Sequence, residues 1–465
     1  MESVDLLLTH ALIVTQDDRR SIVPDGAIAI RQGRILARGA TGEVTACFQA
    51  GETIDLSGKV VFPGLINTHD HLFQVATKGL GEDMPVEKWV EVVTSPTAVH
   101  ITPDEMYVFA LTGCLELIHS GVTTVADMNY RAVQFASHDE NIRAIQDSGL
   151  RGRYTSIITT YGLEYGIPTQ LIDSIEWYVE EYTRLIEKYP PNDKLAVWIA
   201  IGAPWTITKE GLMTIHDFSV RTNTPIIMHI NENYVDNETI YKRYGKNVIP
   251  FFDEIGFLSP SLLAVHCVEM DDTDIELFVK HDVKVSHNPV SNMYLGSGVA
   301  PIMKMHHAGL TISLGVDGAG SNNSQDMLET LKCAALLQKV AAKDASVVDA
   351  QTVLDWATLG GAKALGLEEK IGSLEVGKRA DLFVIAPNTP KVVPIHDPVA
   401  SLVYSCGQEN VVMTVVDGKV LMKDGVIQQI DEASVIARCQ QTALALAERC
   451  GSNAKVKRSW QGNRA

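Results

Sequence analysis

Three patterns of apolar and polar positions follow one another along the chain. The first sixty residues carry short β-rich runs, at 5–14, 27–30 and 35–37, punctuated by glycine turns such as Gln32-Gly33 and Ser57-Gly58. Runs and turns of this kind predict strands in a hairpin or sandwich module. From residue 60 onward, short β-branched runs alternate with long helix-like stretches. The runs fall at 60–67, 122–128, 151–158, 195–203, 225–231, 262–268, 283–288 and 311–317, and 172–189 is one intervening segment with apolar residues at helical spacing. Eight strand–helix repeats in series predict an α/β fold, a (β/α)8 TIM barrel. The end of the chain reverts to β. Residues 371–382 hold two turn signals, and 411–416 and 419–422 flank Asp417-Gly418, a dipeptide suited to a tight two-residue hairpin. An Ala/Leu-rich helix is expected over 430–450, followed by a polar arm at 451–465.

This order implies a composite architecture. Residues 1–62 and 373–465 are expected to build one small β-sandwich domain from both termini, with the C-terminal helix attached. The barrel, 63–372, is inserted between them.

Composition narrows the possibilities only a little. The chain of 465 residues is 46% apolar and 21% charged, as in ordinary globular proteins. Its net charge of −18 repels nucleic acid and anionic membranes, so neither is expected as a partner. Seven cysteines lie scattered without a C-x-x-C pair, which suits reduced thiols. The acidic N-terminal segment lacks the basic start of a signal peptide, and no apolar run reaches the roughly 20 residues of a membrane span. A cytoplasmic location is expected.

Chemistry concentrates at one end of the predicted strands. The first run leads into an H-x-H pair, His69 and His71, a spacing that turns both side chains to the same side in extended chain. The fifth contains His229 with Glu232 three residues on, the sixth contains His266, and the eighth ends in Asp317. Taken singly, a histidine in an apolar strand such as His266 is more often a satisfied core residue than a ligand, and Asp317 could be a turn residue. Their shared position at the C-terminal ends of strands, where barrel enzymes carry their chemistry, points instead to one constellation. Histidines plus a carboxylate suit Zn2+ or Fe2+, which would make a nucleophile from water at neutral pH. Asp317 suits both ligation and proton acceptance. Glu232 lies off the ligand set and suits a proton shuttle. His266 suits polarisation of the attacked centre or the water.

Longer motifs carry a resemblance. They are 63–71 (PGLINTHDH), 120–128 (SGVTTVADM), His229-x-x-Glu232, Val265-His266-Cys267, 286–292 (SHNPVSN), 316–323 (VDGAGSNN) and 377–382 (GKRADL). Over nearly its full length the chain resembles the amidohydrolase superfamily, in the branch of aromatic aminohydrolases and chlorohydrolases. That branch includes methylthioadenosine/adenosylhomocysteine deaminases, melamine deaminase and atrazine chlorohydrolase. The resemblance implies one divalent metal per subunit on His69, His71, His229 and Asp317, with His266 near the activated water and Glu232 as shuttle. It offers no lysine on the fourth strand for a carbamylated two-metal bridge, and it implies a homodimer or larger homo-oligomer.

The substrate expected from the resemblance is a small N-heterocycle. Nucleoside deaminases of the branch hold ribose with a glutamate where this chain has Ala98, and offer a histidine where it has Ala203-Pro204-Trp205. Both departures favour a ribose-free ring: a triazine, pyrimidine, purine base or pterin. Residues 290–301 are similar to triazine-degrading enzymes, whereas Asp317-Gly318-Ala319 is similar to deaminases. Trp89, Trp205, Met293 and Tyr294 are candidate walls for a planar ring, and Asn292 and Ser321 candidate partners for its polar edge. The expected reaction is hydrolytic release of ammonia. Alternatives are loss of chloride or an alkylamine from a triazine, deamination of methylthioadenosine or adenosylhomocysteine, and a non-catalytic scaffold.

Overall fold

The computed structural model describes residues 1–130 and 136–452; most of the expected polar arm, 453–465, lies outside them. The N-terminal segment forms β1 (Glu2–Val14), β2 (Ile22–Arg31), β3 (Arg34–Ala40), β4 (Phe48–Asp55) and β5 (Val60–Pro63). The barrel follows with β6 (Leu65–Asp70), β7 (Val122–Asn129), β8 (Arg151–Ile158), β9 (Leu195–Val197), β10 (Ile199–Ile201), β11 (Ile226–Ile230), β12 (Leu262–His266), β13 (Lys284–His287) and β14 (Ile312–Leu314). The chain then returns to the first sheet as β15 (Leu382–Ile385), β16 (Val411–Val416), β17 (Lys419–Lys423) and β18 (Val426–Ile427).

The terminal sheet runs β18-β17-β16-β15-β5-β1-β2-β3, with β4 on β1. β1 pairs with β4 through its first half and with β5 near its end, and its register with β2 shifts near His10, where φ is 59°. Such a bulge bends a strand and lets it serve two layers. The core they enclose mixes both ends of the chain: Leu6, Leu8, Ile28, Ile54, Val61, Leu382, Val384, Met413 and Val415 pack in one cluster. The expected hairpin is present, with Asp417 and Gly418 at φ 49° and 72° between β16 and β17.

The barrel strands are parallel, in the order β14-β13-β12-β11-β10-β8-β7-β6. β7, β8, β11 and β12 are buried along their whole length, as strands covered on both faces must be. Inside, the Thr68 hydroxyl lies 2.8 Å from those of both Ser286 and Ser313. At the seam, Asp317 N–H donates to the His69 carbonyl at 3.1 Å and fastens the chain after β14 to β6.

Two expected strands differ in detail. The run 60–67 is two strands in two sheets: β5 pairs with β1 and β15, and β6 pairs with β7. The changeover is at Pro63-Gly64, where Gly64 N–H donates to the Asp381 carbonyl and a Cβ on Gly64 would lie 2.1 Å from the Thr123 hydroxyl. The fourth barrel strand is broken at Trp198 into β9 and β10, although Trp198 N–H still donates to the Tyr154 carbonyl.

Helices close the outer layer. Pro103–His119 begins with a capping box in which Thr102 and Glu105 satisfy each other's backbone N–H groups. The C-terminal helix, Glu432–Cys450, packs on it and is joined to it by His119–Glu432 and Arg449–Glu105 contacts at 2.7 and 2.6 Å. After β14, Gly360 packs so closely that a Cβ would sit 2.1 Å from the Ile312 carbonyl oxygen. Backbone cannot yield as a flexible side chain does. Gly360→Ala is therefore expected to cost about 2–3 kcal/mol, read as a lowered denaturation midpoint.

Sheet and barrel are also joined by charge. Arg151, fully buried at the start of β8, donates twice to Asp381 at 2.9 and 3.1 Å through Nη2, and again through Nε. Its Nη2 also reaches Asp417 at 2.8 Å.

Candidate metal centre and cavity

Side chains from the ends of β6, β11 and β12, and from the loop after β14, converge on one point. His69 Nε2 lies 3.1 Å from Asp317 Oδ1 and 3.3 Å from His229 Nε2, and His71 Nε2 lies 3.3 Å from Asp317 Oδ1. Donor atoms of His69, His71 and Asp317 fall within 4.8 Å of one another, as do those of His69, His229 and His266. The structure thus brings together all the expected ligands, with His266 beside them.

The ring orientations fit a cation at the centre. His71 Nδ1 donates to the Met128 carbonyl, and His229 Nδ1 donates to the Gly202 carbonyl at 2.5 Å. Each bond fixes the tautomer that leaves Nε2 with a lone pair, and both lone pairs face inward. The His229 lone pair, 3.3 Å from His69 Nε2, the His71 lone pair and the Asp317 carboxylate together form a donor set that a positive group would join. Burial lowers the proton affinity of His69, His71 and His229, with His71 at about 3, so neutral imidazoles face the gap. Burial opposes ionisation of Asp317, but the bond from His69 and the surrounding imidazoles outweigh it and hold its carboxyl well below the usual range. The donor set suits a divalent metal.

Backbone conformation at these strand ends is unusual. Asn231, His266, Cys267 and Asp317 have φ of 50°, 73°, 52° and 62°. Asn and Asp tolerate that region, whereas His and Cys adopt it at a cost. The turn after β12 aims the His266 ring across the barrel mouth, 5.2 Å from His229 between ring centres.

Two buried carboxyls support the cluster from behind, and neither was apparent from sequence. Asp70 accepts from Asn67 at 2.7 Å and from Gln325 at 2.6 Å, and burial pushes its carboxyl well up. Asp127 accepts from Leu72 N–H and is raised to about 7, again by burial.

A cavity of about 550 Å3 opens over the cluster. His71, His229, His266, Asp317 and Glu232 form its floor. Glu232 is 17% exposed, with Oε2 3.8 Å from His266 Nε2 and its backbone N–H on Asp236. Burial raises its carboxyl above the ordinary value.

Trp89, Trp205 and Ser321 line the cavity as expected, Trp89 anchored by its indole N–H on the Gly320 carbonyl at 3.0 Å. The Ser321 hydroxyl donates to the Gly318 carbonyl at 3.1 Å. Asn292 and Tyr294 do not line it, which corrects their expected role as contacts to substrate. Asn292 is buried behind His266 and accepts from its Nδ1 at 3.0 Å, and the Tyr294 hydroxyl accepts from Asn323 at 2.9 Å. Met293 is exposed. Walls that the sequence did not reveal come from loops: Tyr130, Tyr165 and Leu295, with Glu87, Glu91 and Glu164 also in the lining.

Known proteins are similar to this chain over most of its length. Residues 60–421 match the Amidohydrolase family. The 5-methylthioadenosine/S-adenosylhomocysteine deaminase of Syntrophobacter fumaroxidans is 35% identical over 440 residues, 94% of this chain and 98% of that protein. The 5'-deoxyadenosine deaminase of Methanosarcina mazei is 35% identical over 451 residues, 96% of this chain and 100% of that one. A crystal structure of an adenosine deaminase from Xanthomonas campestris with bound zinc superposes with a TM-score of 0.90 at 27% identity, covering 96% of this chain and 99% of that one. With the family match spanning most of the chain and relatives 35% identical over nearly its full length, the chain belongs to the amidohydrolase family.

Proposed function

We propose that the chain is a metal-dependent hydrolase that replaces the exocyclic amine of a small aromatic N-heterocycle with oxygen and releases ammonia. The convergence of His69, His71, His229 and Asp317 beneath an aromatic-walled cavity carries this reading. Those four residues would hold a divalent metal, zinc or iron with zinc preferred, and when bound it would supply the means of activating a water molecule. Asp317, held ionised at the cavity floor, is placed to accept a proton from the attacking water. Glu232, at the cavity floor, passes a proton to the ring and then to the departing amine. His266, fixed by Asn292, presents Nε2 to the reacting centre and orients the attack. Trp89 and Trp205 hold the ring by its faces.

The preference for a ring without ribose rests on the sequence departure at Ala98, which is buried beside Ile167 and Leu171 outside the cavity lining. A second reading, a 5'-modified adenosine, is favoured by the names of the two deaminase relatives and by a cavity larger than a single ring requires. Ammonia release measured over amino-triazines, amino-pyrimidines, purine bases, pterins and 5'-modified adenosines separates the two. Turnover of a free base or triazine supports the first, turnover of adenosines alone supports the second, and no ammonia from any of them by metal-loaded protein contradicts both. A cytoplasmic homo-oligomer belongs to the same proposal. Among the described residues no helix is long and apolar enough to cross a membrane.

Ligand loss has its own readout. His229→Ala is expected to lower bound metal from one equivalent to well under one tenth after dialysis, a loss of roughly a hundredfold or more in affinity. Elemental analysis of the purified variant checks this.

A further inference from the structure

A second cavity, about 540 Å3, lies at the other end of the barrel from the metal cluster. The starts of β12 and β13 contribute Leu262 and Lys284, the break in the fourth strand contributes Trp198, and the end of the helix Gly361–Ala364 with the turn after it contributes Lys363 to Glu368. Arg153, the third residue of β8, also lines it and is only 4% exposed.

Arg153 lacks the partner that a buried guanidinium requires. Its one hydrogen bond runs from Nη1 to the Gly152 carbonyl at 3.0 Å, and among the described residues no carboxylate pairs with it. The acids nearby are committed elsewhere: Asp193 to Arg379 at 3.0 Å, Asp282 to Lys284 at 2.6 Å, and Asp381 to Arg151. Glu368 and Lys363 stand exposed among the lining residues. A guanidinium has five donors, and those of Arg153 not given to Gly152 remain for a ligand in the cavity it lines. Burial lowers Arg153 to about 10, which still leaves it charged at neutral pH.

We propose that this lower cavity binds a small organic anion, its carboxylate or phosphate group seated on Arg153 and its apolar part against Trp198, Leu263 and Leu365. The planar fork matches either oxyanion with two parallel bonds. Trp198, Leu263 and Leu365 supply a dry wall around the charge. The site is separate from the chemistry, so it does not depend on the proposed reaction.

The test uses the full-length protein, with phenyl phosphate, benzoate and inorganic phosphate as probes at constant ionic strength. At tenfold above its Kd, phenyl phosphate is expected to raise the melting temperature by about 2 °C. His229→Ala should keep this response, which separates the lower cavity from anion binding at the metal. Arg153→Met should lose it, and Arg153→Lys, which keeps the charge without the fork, should bind about tenfold more weakly by calorimetry. Stronger binding of phenyl phosphate than of benzoate assigns a phosphorylated ligand, and the reverse a carboxylate. Inorganic phosphate binding as tightly as phenyl phosphate overturns the apolar contact. The site itself is overturned if none of the three probes binds the parent protein, or if the response survives in Arg153→Lys undiminished or is lost in His229→Ala.

Discussion

Glu232→Gln is expected to lower the rate of ammonia release about a thousandfold, with bound metal and melting temperature unchanged. The substitution keeps size and hydrogen-bonding reach but removes the group that can carry a proton. Glu232 is not one of the converging ligand atoms, so the metal should stay; its carboxylate lies 3.8 Å from His266 and opens onto the cavity. An amine leaves well only after protonation, so deamination needs this shuttle more than displacement of chloride does. The same variant should therefore lose less activity toward a chlorinated analogue of its best substrate. Steady-state kinetics on both substrates, beside elemental analysis, make the comparison. Ammonia release at the parent rate would remove Glu232 from the mechanism.

Asp381→Leu should destabilise the protein by about 3–4 kcal/mol, the largest effect expected from a substitution far from the cavity. It strands Arg151, which is fully buried, with only Asp417 as a charged partner. Burial already raises the Asp381 carboxyl above its ordinary value despite the arginine beside it, so desolvation consumes much of what the pair gains. The cost thus lies in leaving one charge alone, not in losing an attractive contact. The double variant Arg151→Met/Asp381→Leu should recover most of the loss, since Asp417 is 24% exposed and can be hydrated. Chemical denaturation of the parent, both single variants and the double variant tests this. Losses that simply add would show that the pair is not coupled in this way.

The metal-type residues were legible because each follows a buried β-branched run, and strand ends in such a barrel share one face. The same signal could not show that 60–67 serves two sheets, since the apolar run continues without a break through the crossing at Pro63-Gly64. Nor could it show the interruption at Trp198, an apolar residue within an apolar strand. Asn292 and Tyr294 were misplaced for a geometric reason. They sit on the short helix Pro289–Tyr294, where successive side chains turn by about 100°. Asn292 therefore faces His266, Met293 solvent and Tyr294 Asn323. Tyr130, Tyr165 and Leu295 reach the cavity from loops or loop-like ends, which have no periodicity to read. Arg151 and Asp381 are 230 residues apart, and no local pattern announces such a pair.

Anomalous diffraction from crystals of metal-replete protein, collected on both sides of the zinc and iron absorption edges, locates the bound ion and identifies it. One strong peak is expected in the gap bounded by His69 Nε2, His71 Nε2, His229 Nε2 and Asp317 Oδ1. A metal peak elsewhere with that gap empty, or none at all, would contradict the account.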